Sequence, residues 1–291
     1  MPIVAMSEIL KDAKKKRYAV GCFNAINLDM IRGVLEECEE LGSPVILCHA
    51  EVHFKYTPLD MIAGILTREA KRAKVPVALL LDHGKSLETV MDAAEAGFNA
   101  VMIDGSSLDH EKNIELTKKV VEFSHKRGVE VEAELGHVTR PKSAGADGDE
   151  DDSVIDDTSL FTDPAEAAVF IEKTGVDALA VAFGTAHGIY LKKPSLDIKR
   201  LEEIGRRIDV PLVMHGGSGL SDDDFREAVK AGIAKINYYT GMAKYAADEI
   251  KKLFEETDKP VFYHNIMMRS IEAVKEDVKR AVILFGSNNR I

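Results

Sequence analysis

Three histidines each follow a short apolar run and each precede a glycine. His83 closes the run Val77-Ala-Leu-Leu-Leu-Asp82 and precedes Gly84. His187 ends Leu179-Ala-Val-Ala-Phe-Gly-Thr-Ala186 and precedes Gly188, and His215 follows Pro211-Leu-Val-Met214 and precedes Gly216. Neutral imidazole is the commonest metal ligand, and three such ligands with an open fourth position suit a catalytic rather than a structural zinc. For that chemistry to exist, the three apolar runs must be neighbouring strands that end at the same rim of one sheet.

The rest of the chain supplies such a sheet. Apolar runs recur at Tyr18–Cys22, Val45–Cys48, Val77–Leu81, Ala100–Ile103, Glu130–Glu134, Ala178–Phe183, Leu212–Met214 and Ala234–Asn237. Amphipathic, charge-rich segments lie between and after them, at Leu28–Leu41, Pro58–Ala73, Ser86–Ala96, His110–Lys126, Pro164–Lys173, Asp197–Ile208, Ser221–Ala231 and Thr240–Phe254. Asp109, Asp163 and Ser221 are placed to cap helix N-termini, and Gly97, Gly175 and Gly232 to end helices in a left-handed turn. Eight strand–helix units of this kind predict an α/β fold, a (β/α)8 barrel, with Ile266–Val282 as an extra C-terminal helix. A single domain over residues 1–291 is expected. The polar, acid-rich segment 136–157 follows the fifth strand and is expected to overhang the C-terminal face, as a lid or a disordered connection.

Bulk properties narrow the function. A formal charge of −11 excludes a general nucleic-acid-binding role, which requires a basic face. No apolar run approaches the roughly 20 residues that span a bilayer, and the first residues lack the layout of a signal peptide. Cys22, Cys38 and Cys48 have no zinc-ribbon spacing and read as reduced, buried thiols. Together these predict a cytoplasmic protein with no membrane or nucleic-acid partner.

In such a barrel the active site lies at the C-terminal ends of the strands. Collected there are Asn24 and Asn27, Asp82 and His83, Asp104, Glu132 and Glu134, His187, His215 and Asn237. Carboxylates on the strands between the histidines favour a divalent metal. The glycine-rich stretches Gly184–Gly188 and His215–Gly219 expose backbone N–H groups that can nest a phosphate. A Lewis acid beside a phosphate nest points to stabilising the enediolate of a phosphorylated ketose, with Asp82 as the base acting on a hydroxyl.

Taken together, Asp82-His83-Gly84, Glu132-Ala-Glu134-Leu-Gly136, Gly184-Thr-Ala-His187-Gly188, His215-Gly-Gly-Ser218, Asn237-x-x-Thr240 and the tail Gly286-Ser-Asn-Asn-Arg-Ile291 resemble the class II ketose-bisphosphate aldolases. The resemblance spans almost the whole chain. It implies a lyase of carbohydrate metabolism whose enolate half is dihydroxyacetone phosphate. It implies a catalytic zinc on His83, His187 and His215, with Glu134 and Asp104 close to it and able to engage a second divalent ion; a monovalent cation is also expected. Asp82 is implied as the acid/base on the C4 hydroxyl, Asn237 as the residue holding the ketone end, and Glu150 as the loop residue that exchanges a triose proton. Gly188, Gly216, Ser218 and Thr240 match the phosphate cradle, and Asn24 lies beside the substrate. The partner is a small sugar phosphate, and the assembly a homodimer or homotetramer.

The chain departs from the family pattern in places. After the second strand it reads Cys48-His-Ala50-Glu51-Val-His53, without the usual small hydroxyl residue, and Glu51 is expected to repel a second phosphate. A non-standard aldehyde partner is therefore an alternative. Tyr238 and Tyr239 follow Asn237, His137, Arg140 and Lys142 are placed to reach the substrate, and Lys279 and Arg280 sit where a neighbouring subunit would donate a cation. Three rival readings are a barrel hydrolase, a Schiff-base aldolase using Lys235, and a non-catalytic sugar-phosphate-binding protein. The first lacks a His-x-His on its first strand, and the second leaves the histidines without a task. The third leaves the full ligand set and Asp82 unexplained.

Overall fold

The computed structural model describes residues 2–140, 157–188, 190 and 194–291. Its strands are β1 (Val20–Asn24), β2 (Val45–Ala50), β3 (Val77–Gly84), β4 (Ala100–Ile103), β5 (Glu130–Leu135), β6 (Ala178–Val181), β7 (Leu212–Met214) and β8 (Ile233–Tyr238). They pair in parallel, in chain order, and β8 pairs with β1 to close the barrel. These strands are buried almost throughout because the sheet is covered on both faces, so their sequences read as continuous apolar runs instead of alternating ones.

Helices α2 (Leu28–Glu40), α3 (Leu59–Arg72), α4 (Leu87–Ala96), α5 (His110–His125), α6 (Pro164–Thr174), α7 (Ile198–Arg207), α8 (Asp222–Ala231) and α9 (Thr240–Glu255) form the outer ring. Their starts follow the capping signals. The Asp109 and Asp163 side chains accept backbone N–H groups of the first turn, and Ser221 with Asp224 closes a capping box. Gly97 and Gly175 end α4 and α6 at φ of 103° and 73°, a region closed to most L-residues.

Two helices lie outside the eight units. Before β1, α1 (Met6–Lys16) was not among the helices expected; its buried Met6, Ile9, Leu10 and Ala13 join the barrel interior and stop its N-terminal mouth. At the other end α10 (Tyr263–Phe285) begins before Ile266 and runs past Val282. It packs on α2 where Gly33 leaves room for Val274, and it buries Val278, Val282 and Phe285. Each fully buried side chain of this size contributes about 1.5–3 kcal/mol.

Interior and exterior residues form separate cores. Cys22, Ile46, Cys48, Ala78, Leu80, Met102, Ala180 and Val213 fill the barrel, while Val34, Leu66, Val90, Val120, Phe170 and Leu201 join the layer between sheet and helices. The three cysteines are free and buried, as their spacing implied.

Candidate active site

The C-terminal ends of the strands enclose a cleft lined by residues of β1, β2, β3, β8 and the loops after β4 to β7. Asp82 and His83 both face it, although neighbouring residues of a regular strand point to opposite faces. The register with β4 shifts between Leu81 and Gly84, and His83 adopts φ of 47°. This irregularity re-aims one side chain, so two adjacent residues serve the same cleft. A left-handed non-glycine residue costs on the order of 1–3 kcal/mol.

His83, His187 and His215 come together, with ring centroids 4.6 Å apart for His83 and His215, 5.0 Å for His83 and His187, and 5.9 Å for His187 and His215. One nitrogen of each, Nε2 of His83 and Nδ1 of His215, approach to 2.9 Å. Their other nitrogens face carboxylates: His83 Nδ1 is 3.0 Å from Asp104 Oδ2, and His215 Nε2 is 3.1 Å from Glu132 Oε1. An imidazole that donates its outer N–H to a carboxylate presents a lone pair on its inner nitrogen. Two inner nitrogens at such a distance are satisfied either by a shared proton or by a metal ion that both ligate. Nδ1 of His187 is buried without a hydrogen-bond partner. Burial, then the charge of Arg140, hold His187 well below the usual imidazole pKa, in the neutral form a metal requires. On these grounds the donor set fits a divalent ion.

His83 also belongs to a second group of possible ligands with Asp104 and Glu134. Burial pushes Asp104 upward, but the His83 hydrogen bond and the charges of His83 and Arg140 hold its pKa well below the carboxylate range. Glu134 goes the other way. Burial and the nearby Asp104 charge raise it to about 7, and one of its buried oxygens has no partner. Arg140 lines the cleft with Nη2 3.0 Å from His83 Nδ1, and His137 Nδ1 lies 3.4 Å from Ser106 Oγ.

Asp82 is 5% exposed, and its Oδ1 accepts from Asn237 Nδ2 at 2.9 Å. Burial raises its pKa, but the charges of His83, His215 and Lys235 outweigh it and the net shift is downward. At neutral pH it is a carboxylate able to take a proton. Lys235 is fully buried, as its shared parity with Asn237 implied, and its Nζ donates to Glu132 and to Asn237 Oδ1, at 3.0 and 2.6 Å. A buried ammonium in this pairing is charged and held, which is the opposite of a lysine readied to attack a carbonyl.

Gly188, Gly216, Ser218 and Thr240 line one side of the cleft. Gly216 has φ of 69°, and a side chain there would meet Ala186 O at 2.4 Å. Ser218 Oγ accepts Gly241 N–H at 3.1 Å, which ties this loop to the N-terminus of α9. A glycine-rich loop beside a helix N-terminus can bind an anion here.

Asn24 is buried in the wall, its Oδ1 3.2 Å from His53 Nδ1. Asn27 is not part of the cleft lining; it caps α2 by accepting Met30 N–H. Glu51 is not part of that lining either. Its carboxylate accepts Lys85 N–H at 2.8 Å, while Ala50, Val52, His53 and Lys85 line the cleft. Lys279 lies 3.8 Å from Glu37, and Arg280 pairs with Asp222 at 2.9 Å. Glu150 and Lys142 lie outside the described residues.

Sequence reasoning missed Tyr190, whose hydroxyl accepts Ala186 N–H and donates to Gly216 O, each at 2.7 Å. Its position three residues after His187 is the only signal the sequence offers. Cys22 and Cys48, read as core thiols, also form part of the cleft lining.

Comparison with known proteins agrees with this geometry. A family model for class-II fructose-bisphosphate aldolase matches residues 4–290. A fructose-bisphosphate aldolase of Staphylococcus epidermidis is 40% identical over 296 residues, covering 100% of this chain and 99% of that protein. One from Staphylococcus aureus is similar to the same degree, 40% identical with the same coverage. The crystal structure of the YdjI aldolase from Escherichia coli K12 superposes with a TM-score of 0.85 at 35% identity, covering 99% of each chain. The fructose-bisphosphate aldolase structure from Campylobacter jejuni, at 23% identity and a TM-score of 0.82 over 99% of this chain and 97% of that one, shares the fold. The chain belongs to the class-II fructose-bisphosphate aldolase family.

Proposed function

We propose that this cleft cleaves and re-forms the central carbon–carbon bond of a ketose bisphosphate, with dihydroxyacetone phosphate as the enolate half. As a member of its family the chain is a metal-dependent carbon–carbon lyase. In this reading the ion is zinc, held by His83, His187 and His215, where it supplies Lewis acidity toward the ketone oxygen. Asp104 and Glu134 would hold a second divalent ion, and a monovalent cation would complete the set.

Asp82 takes the proton of the C4 hydroxyl as the bond to C3 breaks. C4 leaves as the aldehyde, and the electron pair stays on the triose as the enolate. Asn237, fixed between Lys235 and Asp82, orients the base and holds the ketone end. Gly188, Gly216, Ser218 and Thr240 cradle the triose phosphate, and Asn24 flanks the substrate. Glu150 returns a proton to the enolate carbon. Residues 1–291 act as one domain in a cytoplasmic homodimer or homotetramer.

The observation that carries this reading is the inward pair of histidine nitrogens, each braced from outside by its own carboxylate. Cleavage of fructose and tagatose bisphosphates should stop with a strong chelator and return with zinc. Activity that survives the chelator, or a substrate adduct trapped by borohydride, would overturn it.

A non-standard aldehyde is a second reading, and Ala50 favours it because a methyl group, not a hydroxyl, lines that wall. If neither bisphosphate is turned over but other phosphorylated ketoses are, this second reading replaces the first.

A further inference from the structure

The three clustered histidines are not held alike. His83 and His215 are braced through their side chains, by Asp104 and Glu132. The His187 ring has no such carboxylate partner among the described residues. Its place in the cluster is set through its backbone, and that backbone is pinned from two sides. His187 N–H donates to Thr139 O at 2.9 Å. On the other side, the Tyr190 hydroxyl accepts the N–H of Ala186, the residue before His187, and donates to the carbonyl of Gly216, the residue after His215. One hydroxyl therefore links the chain immediately before one histidine to the chain immediately after another.

The two segments are in close contact at this point. Gly216 has no room for a side chain because Ala186 O would stand 2.4 Å from its Cβ. Without the hydroxyl, the close approach would be kept only by packing, and Ala186 N–H and Gly216 O would each lose a partner. A ring packed at this point would still fill the space, but it would no longer fix the register of the two loops.

We infer that Tyr190 is a positioning residue of the metal centre: its hydroxyl sets the separation of His187 from His215, replacing through the backbone the carboxylate brace that the His187 ring lacks. This inference rests on the reading of these histidines as ligands. It predicts that removing the hydroxyl changes metal affinity more than it changes the fold.

Thr162 provides a matched control. Its hydroxyl makes the same kind of bridge, donating to Leu135 O and accepting Ala182 N–H, but between the ends of β5 and β6. Tyr190→Phe and Thr162→Val each remove one bridging hydroxyl. The test is zinc affinity by competition with a chromophoric chelator, beside the melting temperature of the metal-free proteins and zinc per folded chain by native mass spectrometry. Tyr190→Phe should weaken zinc binding about 10- to 100-fold, the range seen when a brace behind a ligand is lost. Its activity should return when zinc is in excess. Thr162→Val should lower the melting temperature comparably and leave zinc affinity unchanged. Wild-type affinity in Tyr190→Phe, or equal weakening in both variants, would overturn the inference. A wild-type protein or a His187→Ala variant decides the underlying reading separately: if the first binds no zinc, or the second binds it normally, the ligand assignment itself fails.

Discussion

At the N-terminal mouth of the barrel, α1 lays Met6, Ile9, Leu10 and Ala13 against Val20, Ile46, Ala78, Leu80 and Ala178. The side chains that fill the barrel interior there are apolar and buried. At the C-terminal mouth the same interior carries Glu132, Lys235, Asp82 and His215, all 5% exposed or less. That end also holds a strained His83 and buried polar atoms without partners on His187 and Glu134. Burying polar groups without partners costs free energy, so one end of the barrel stabilises the fold while the other draws on that stability. The difference identifies the polar end as the one whose requirements are met by something other than protein.

The largest test of this contrast is to withhold that missing component. Stripping the divalent ion should abolish turnover and lower the melting temperature. Restoring zinc at about 1,000 times its dissociation constant should return about 4 kcal/mol of stability. A metal-free protein with full stability and activity would mean that the polar mouth is self-sufficient. Next in size, Asp82→Ala should lower kcat about a thousandfold, within the range of general acid–base contributions, while zinc content and melting temperature stay close to wild type. Unchanged turnover would remove Asp82 from the reaction. The opposite mouth should answer in the opposite way. Leu10→Ala is expected to cost about 2–5 kcal/mol of stability and leave kcat/KM intact.

This division also explains what could be read without coordinates. The apolar runs named the strands closely, because burial on both faces leaves little else for Val45–Cys48 or Leu212–Met214 to be. The residues that meet in the cleft were legible where type and position after a strand coincide, as at Asp82, His187 and His215. What was hidden depends on side-chain direction. Glu51 follows the end of β2 as a ligand-facing residue would, yet its carboxylate is taken up by Lys85 N–H and is not part of the cleft lining. Asn27 has the same residue type as Asn24, yet it caps a helix. Tyr190 acts only through contacts with residues 4 and 26 positions away, and no local pattern records those. The plug α1 was passed over because its role is to fill a mouth that exists only once the barrel has closed.

The smallest expected effect lies just behind the polar mouth, where Tyr238 of the cleft meets Asp277 of α10. Asp277 is 7% exposed, and its Oδ2 has no partner. Burial raises its pKa above 3.8, and the Tyr238 hydrogen bond and the Arg280 charge offset this only in part. A carboxyl raised on folding binds its proton more tightly in the native state. Its penalty is absent below pH 3.8, grows as pH rises through the folded value, and is complete above it. Asp277→Asn keeps an acceptor for the Tyr238 hydroxyl and removes the charge. Denaturant unfolding should therefore find the variant slightly more stable than wild type at neutral pH, with the gain vanishing near pH 3.8. A gain that persisted in acid would mean that charge burial is not its source. The demand for compensation would then stop at the cleft, and the contrast between the two mouths would be sharper than the buried Asp277 suggests.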